Sequence, residues 1–169
     1  RWDLSELMLS GVLLLMVLLS GAGSLLAERL APKLGSARVL RAGLCLAAVA
    51  VTVLVLAPHV SLFVGGLATY GVALGLVDAS SNMQAVALEH RVGRVILPSF
   101  HGAWTLGGVI GSAIALGSAN LPWESAAAVA LLPLLVTTAP FLAPADSAVE
   151  DSGPDDATVV AQAEMGVVG

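Results

Sequence analysis

Residues 75–112 read GLVDASSNMQAVALEHRVGRVILPSFHGAWTLGGVIGS. This stretch holds two apolar segments joined by a short connection that carries Arg91 and Arg94. Asp78 is the one carboxylate well inside an apolar segment. Because both segments are apolar on every side rather than along one stripe, they predict membrane-spanning helices and not the amphipathic helices of a soluble bundle.

The composition of the whole chain agrees with a membrane protein. Of its 169 residues, 57% are hydrophobic and 11% are charged, and the mean hydropathy is +0.94. A soluble domain carries roughly 25% charged residues, so a soluble enzyme domain is excluded. The net charge of −5 without a basic patch argues against nucleic-acid binding. Catalytic and cofactor-binding motifs are absent, and the single Cys45 excludes a cysteine metal cluster. We therefore expect no enzyme activity, no cofactor and no metal.

The apolar windows predict an all-α integral membrane protein with about five transmembrane helices. Proline at position 58 divides the longest window into two spans. Residues 1–144 are expected to form the transmembrane domain, and residues 145–169 an acidic, disordered tail. The predicted spans are about 8–28, 39–57, 61–88, 96–117 and 125–143.

The cations predict the orientation. Six of the seven Lys and Arg residues lie in the connections after the first and third spans, namely Arg29, Lys33, Arg38, Arg41, Arg91 and Arg94. The positive-inside rule places these connections in the cytoplasm. The tail is then cytoplasmic, and we expect a multi-pass protein of the bacterial cell (inner) membrane. Since the first span enters from outside and the sequence opens with Arg1, an upstream span is expected to be missing.

A polar stripe follows one side of the third span. At 100° per residue, Gly71, Gly75, Asp78 and Asn82 share this side. The Gly71–Gly75 spacing allows another helix to approach closely. Asp78 is a functional candidate because ionisable residues inside a membrane are rare and functional.

The fourth span carries a matching set of residues. His101 and Thr105 share one side, and Trp104, Gly107 and Gly111 lie on the neighbouring side. In one hypothesis the third and fourth spans face each other, Asp78 takes up and releases a proton, and Asn82, His101 and Thr105 contact a substrate. In the other, Asp78 and His101 hydrogen-bond each other and only fix the packing. Trp104 is either a packing residue or a platform for the substrate.

The sequence also resembles the major facilitator superfamily (MFS), in the branch related to sugar–proton symporters. Residues 75–112 resemble its fourth and fifth helices, where an acid is followed four residues later by Asn, here Asp78 and Asn82. Residues 21–43 resemble its second helix and the loop that follows. The resemblance implies that the five spans correspond to helices two to six of an N-terminal six-helix half-bundle, with the tail as the start of the linker between two halves.

Two cytoplasmic connections are candidates for gating. The residues are Glu28, Arg29, Lys33, Gly35 and Arg38 in the first, and Glu89, Arg91 and Arg94 in the second. Ion pairs there would act as a gate, whereas the alternative is that these charges only set the topology.

The leading hypothesis is a fragment of a secondary active transporter that moves a small polar solute by alternating access, coupled to protons. Its partners would be the lipid bilayer, the solute, protons, and the missing helices of the same transporter or another copy. The alternative is a small non-transporting membrane protein that acts through helix–helix packing, as an assembly factor or a degenerate gene product.

Overall fold

The computed structural model describes residues 4–138, which contain helices and no strand. The all-α class predicted from the sequence is confirmed. The tail at 145–169 and the last residues of the fifth predicted span lie outside the described residues. The elements are α1 (Glu6–Leu34), α2 (Ser36–Leu56), α3 (Val60–Val92), α4 (Leu97–Gly117), a 3₁₀ helix (Trp123–Ala130) and α5 (Leu131–Thr137).

Helices α1, α2 and α3 are long and apolar enough to cross a membrane. They have 29, 21 and 33 residues, and about 20 are needed. Helix α4 also has 21 residues, and it is not among these three. The described part of the chain therefore has the architecture of a helical membrane protein.

The connection between α1 and α2 is shorter than predicted. Instead of a loop, α1 continues to Leu34 and α2 begins at Ser36. Only Gly35 separates them, with a φ of 85° that favours glycine, and its N–H donates to Ala31 O at 2.8 Å. Glu28, Arg29 and Lys33 therefore lie on α1 and Arg38 lies on α2. The charges mark where a helix leaves the apolar region, but the backbone hydrogen bonds of the helix continue beyond that point.

Helices α1 and α3 run parallel and cross at very short range. A Cβ added to Gly71 would lie 2.5 Å from Met16 O, and one added to Gly75 would collide with Ser20 O. Gly23 of α1 contacts the Val72 carbonyl in the same way. These contacts involve backbone atoms on both sides, so the crossing requires glycine.

Helix α2 packs antiparallel against another side of α3. Gly43 contacts Leu76 and Val77, while nearer the other end Gly66 contacts Val53 and Leu54. Because α3 contacts α1 on one side and α2 on another, it is the central helix of the described bundle. The hydrophobic core cluster of the bundle is formed by Ala27 of α1, Val39 of α2 and Leu76 of α3.

The fifth predicted span is not one continuous α-helix. It begins as the 3₁₀ helix Trp123–Ala130 and continues as α5 to Thr137. Hydrogen bonds tie both ends to α2: Trp123 Nε1 donates to Val55 O at 2.8 Å, and Arg41 Nε donates to Thr137 O at 3.2 Å. The segment therefore runs antiparallel along α2. Pro133 within α5 lacks a backbone donor. A 3₁₀ helix rises about 2.0 Å per residue and an α-helix about 1.5 Å, so the 15 residues of the two helices together cover about 26 Å.

Candidate functional site

A cavity of about 560 Å³ lies between α1 and α3. Four of its lining residues are polar: Ser24 and Glu28 from α1, and Asp78 and Asn82 from α3. Apolar atoms from both helices complete the wall, with Ala79, Met83 and Val86 from α3. The cavity thus combines two carboxylates, an amide and a hydroxyl in a mostly apolar helical bundle.

Asp78 and Asn82 are one turn apart on α3, and both side chains are exposed. The adjacent residue Ser80 points in another direction, since it is fully buried and its hydroxyl donates to Leu76 O at 2.6 Å. A carboxylate in a membrane helix faces a protein interior or a water-filled cavity rather than lipid. The face that carries Asp78 and Asn82 is therefore a candidate for contact with water or with other polar groups.

Ser24 joins the two helices beside the cavity. Its hydroxyl lies 3.2 Å from Ser20 O within α1 and 3.3 Å from Gly75 O of α3, and it is the donor to both. Glu28 follows one turn later and brings a second carboxylate to the same cavity. The sequence analysis overlooked Ser24 and assigned Glu28 to a gate. The signal was the four-residue spacing of Ser20, Ser24 and Glu28, which places all three on one side of α1.

The structure does not bring the candidate residues of α4 to this cavity. His101, Trp104 and Thr105 are exposed, and α4 has no buried residue in the described chain. The Thr105 hydroxyl donates to His101 O at 3.0 Å within the helix. A Cβ added to Gly107 or Gly111 would meet nothing within 4 Å. The predicted contact between the polar sides of α3 and α4 is therefore not present, because no neighbouring segment among residues 4–138 holds α4 against that side of α3.

The connection between α3 and α4 is organised by Glu89. Gly93 ends α3 with a φ of 66°, and Glu89 Oε1 accepts hydrogen bonds from Ile96 N at 2.8 Å and Leu97 N at 3.2 Å. A carboxylate at a helix N-terminus satisfies free backbone donors and interacts favourably with the helix dipole. Glu89 therefore caps α4, and its role in a gate with Arg91 and Arg94 stays a prediction.

Gln84 lies on another side of α3 and stabilises the bundle. Its Nε2 donates to the Ser36 hydroxyl of α2 at 2.6 Å.

In residues 4–138, no group of three or more His, Cys, Asp or Glu side chains could hold a metal ion. The polar groups of the cavity remain as the candidate site.

Comparison with known proteins points to transporters. Over 107 residues, or 61% of this chain, the sequence is 36% identical to an uncharacterized transporter of Sinorhizobium fredii, of which the match covers 28%. Over 46 residues, or 27% of the chain, it is 39% identical to an uncharacterized MFS-type transporter of Yersinia pestis, of which the match covers 12%. The chain thus matches well under two thirds of the length of these relatives. No protein-family model and no solved structure matches it.

Proposed function

We propose that this chain is part of an MFS secondary active transporter, in the branch related to sugar–proton symporters. The similarity to two transporters, one of them named MFS-type, supports the class. The five helical segments would correspond to helices two to six of the N-terminal half, and the protein would reside in the inner membrane with the tail in the cytoplasm.

The observation that carries this proposal is the exposed pair Asp78 and Asn82 in the wall of the polar cavity between α1 and α3. A charge at that depth requires water or polar protein groups around it. Lipid alone would not stabilise it, whereas an aqueous solute pathway would. The polar cavity between α1 and α3 fits the second description.

The chemistry of the cavity suggests the kind of solute. Ionised Asp78 and Glu28 only accept hydrogen bonds, while Asn82 and Ser24 both donate and accept. A small polar solute with several N–H or O–H donors matches this set. In the proposed mechanism Asp78 also takes up and releases a proton, so that proton movement drives solute movement as the two halves alternate in access.

The glycine contacts between α1 and α3 support the mechanical part of the proposal. Backbone atoms meet at Gly71 and Gly75, so the two helices move as one body and carry the cavity wall with them. His101, Trp104 and Thr105 stay predicted contact residues, which a substitution such as His101→Gln in the full-length transporter would test.

The test is proton-coupled uptake by the full-length protein in proteoliposomes loaded with the pH dye pyranine. Hexoses, amino acids and polyamines are added in turn, and the solute that changes the internal pH is then used for variants. Asp78→Asn is expected to abolish uphill accumulation but to retain counterflow exchange. Asp78→Glu, which keeps the carboxylate, is the matched control and should retain part of the accumulation.

Two results would contradict the proposal. Full uphill accumulation by Asp78→Asn would remove the coupling role of this carboxylate. If no solute moves protons and the protein is instead recovered in a stable complex with another membrane protein, the non-transporting alternative replaces transport.

A further inference from the structure

A second cavity lies at the C-terminal end of α3, about one turn beyond the candidate transport cavity. It has a volume of about 370 Å³ and is lined by Glu89, His90, Gly93, Arg94 and Val95. Binding clefts for small ligands typically measure about 300–1,000 Å³. Since it lies where α3 ends and α4 begins, the cavity belongs to the end of the bundle that carries most of the cations.

The cation in the wall of this cavity is the guanidinium of Arg94. The one carboxylate in its wall, Glu89, already accepts two backbone hydrogen bonds from Ile96 and Leu97. The helix dipole of α4 further offsets its charge. His90 and Arg94 are exposed and bring an imidazole and a guanidinium to the same wall. Both groups donate hydrogen bonds, and a guanidinium can bind a phosphate through two parallel N–H groups.

Val95 is the apolar residue of the cavity wall, and Val92 and Phe100, close to it in sequence, are also exposed. Val92 is 49% exposed, Val95 is 79% exposed and Phe100 of α4 is 42% exposed. Exposed apolar side chains beside a guanidinium suit a ligand that has both an anionic group and hydrocarbon chains. Cations next to the end of a membrane helix attract anionic lipid headgroups.

We propose that this cavity binds the phosphate group of an anionic phospholipid in the adjacent membrane leaflet. The guanidinium of Arg94 and the imidazole of His90 contact the phosphate, and the acyl chains lie along Val92, Val95 and Phe100. Free inorganic phosphate shares the headgroup chemistry but would leave the apolar side chains without a partner.

The test is native mass spectrometry of the full-length protein in micelles with equal amounts of phosphatidylglycerol and phosphatidylcholine. The ratio of the two retained lipids measures headgroup preference. Arg94→Gln is expected to lower the phosphatidylglycerol preference about fivefold, the contribution of one cation near a membrane surface. Arg94→Lys should keep much of it. Lys33→Gln removes a cation at the same end of the bundle but outside this cavity and should lower the ratio clearly less than Arg94→Gln does.

Circular dichroism and elution volume establish that each variant is folded before the lipids are counted. The proposal is overturned if wild-type protein shows no preference for phosphatidylglycerol, or if Arg94→Gln and Lys33→Gln lower it equally. Complete displacement of the lipid by millimolar inorganic phosphate would identify a site for free phosphate and would also overturn it. Retention of the lipid in that competition supports it.

Discussion

Replacing Gly75 by alanine should separate α1 from α3. The added Cβ would collide with Ser20 O and lie 2.7 Å from Ser24 N. Ordinary contacts between such atoms are about 3.5–4.0 Å long. Since both neighbours are backbone atoms, no change of side-chain rotamer can relieve the collision, and α1 must move away by about 1 Å.

The expected loss of stability follows from three contributions. Overpacking of this kind costs about 1–3 kcal/mol. The hydrogen bond from the Ser24 hydroxyl to Gly75 O would be lost, which is worth about 0.6 kcal/mol in a membrane protein. Alanine offsets up to about 1 kcal/mol through its higher helix propensity. The net effect is a free energy of unfolding lower by about 2 kcal/mol, or about 30-fold in the unfolding equilibrium.

The assay is reversible unfolding of the protein in mixed micelles, titrated with sodium dodecyl sulfate and followed by circular dichroism. Gly65→Ala is the matched control, because Gly65 lies on the same helix and an added Cβ there would meet nothing within 4 Å. We expect that control to change stability by no more than about 1 kcal/mol. Equal unfolding midpoints for the two variants would refute the close crossing of α1 and α3.

Three further substitutions test other contacts by the same unfolding assay. Glu89→Ala removes the cap of α4 and should lower the free energy of unfolding by about 1–2 kcal/mol. Glu89→Gln keeps an acceptor and should lower it less. Equal losses for the two variants would contradict the capping role. Trp123→Phe removes the hydrogen bond to α2 and should cost about 0.6 kcal/mol, while Trp104→Phe, on the exposed helix α4, should cost nothing measurable. Ser36→Ala removes the partner of Gln84 Nε2 and should cost about 0.6 kcal/mol, so an unchanged midpoint would mean that this bond contributes nothing.

Those parts of the fold that depend on local sequence could be predicted. Long apolar windows determine which segments become membrane helices, and Gly71 and Gly75 share the side of α3 that α1 approaches. The ends of the helices were harder to predict. Charged side chains such as Lys33 mark the boundary of the apolar region, but the helix ends only where Gly35 adopts a positive φ.

The candidate site was predicted in part. Asp78 and Asn82 stand out because polar residues are conspicuous in an apolar helix, and the structure places them on one cavity wall. The opposite wall of this cavity was predicted to come from α4. Ser24 and Glu28 of α1 form it in place of the residues of α4, and which helix neighbours α3 depends on contacts distant in sequence. For α4, the partners of its exposed side do not lie in the described part of the chain.

The central claim, that the Asp78 face borders water rather than lipid, can be measured directly by cysteine labelling in membranes. Cys45 is first replaced by serine, since it is the only cysteine of the chain. Asp78→Cys is then compared with Leu25→Cys, a position on α1 at a similar level whose side chain is 56% exposed. The account predicts that a charged, membrane-impermeant methanethiosulfonate modifies the cysteine at position 78 much faster than the one at 25. Equal protection of both cysteines would contradict it.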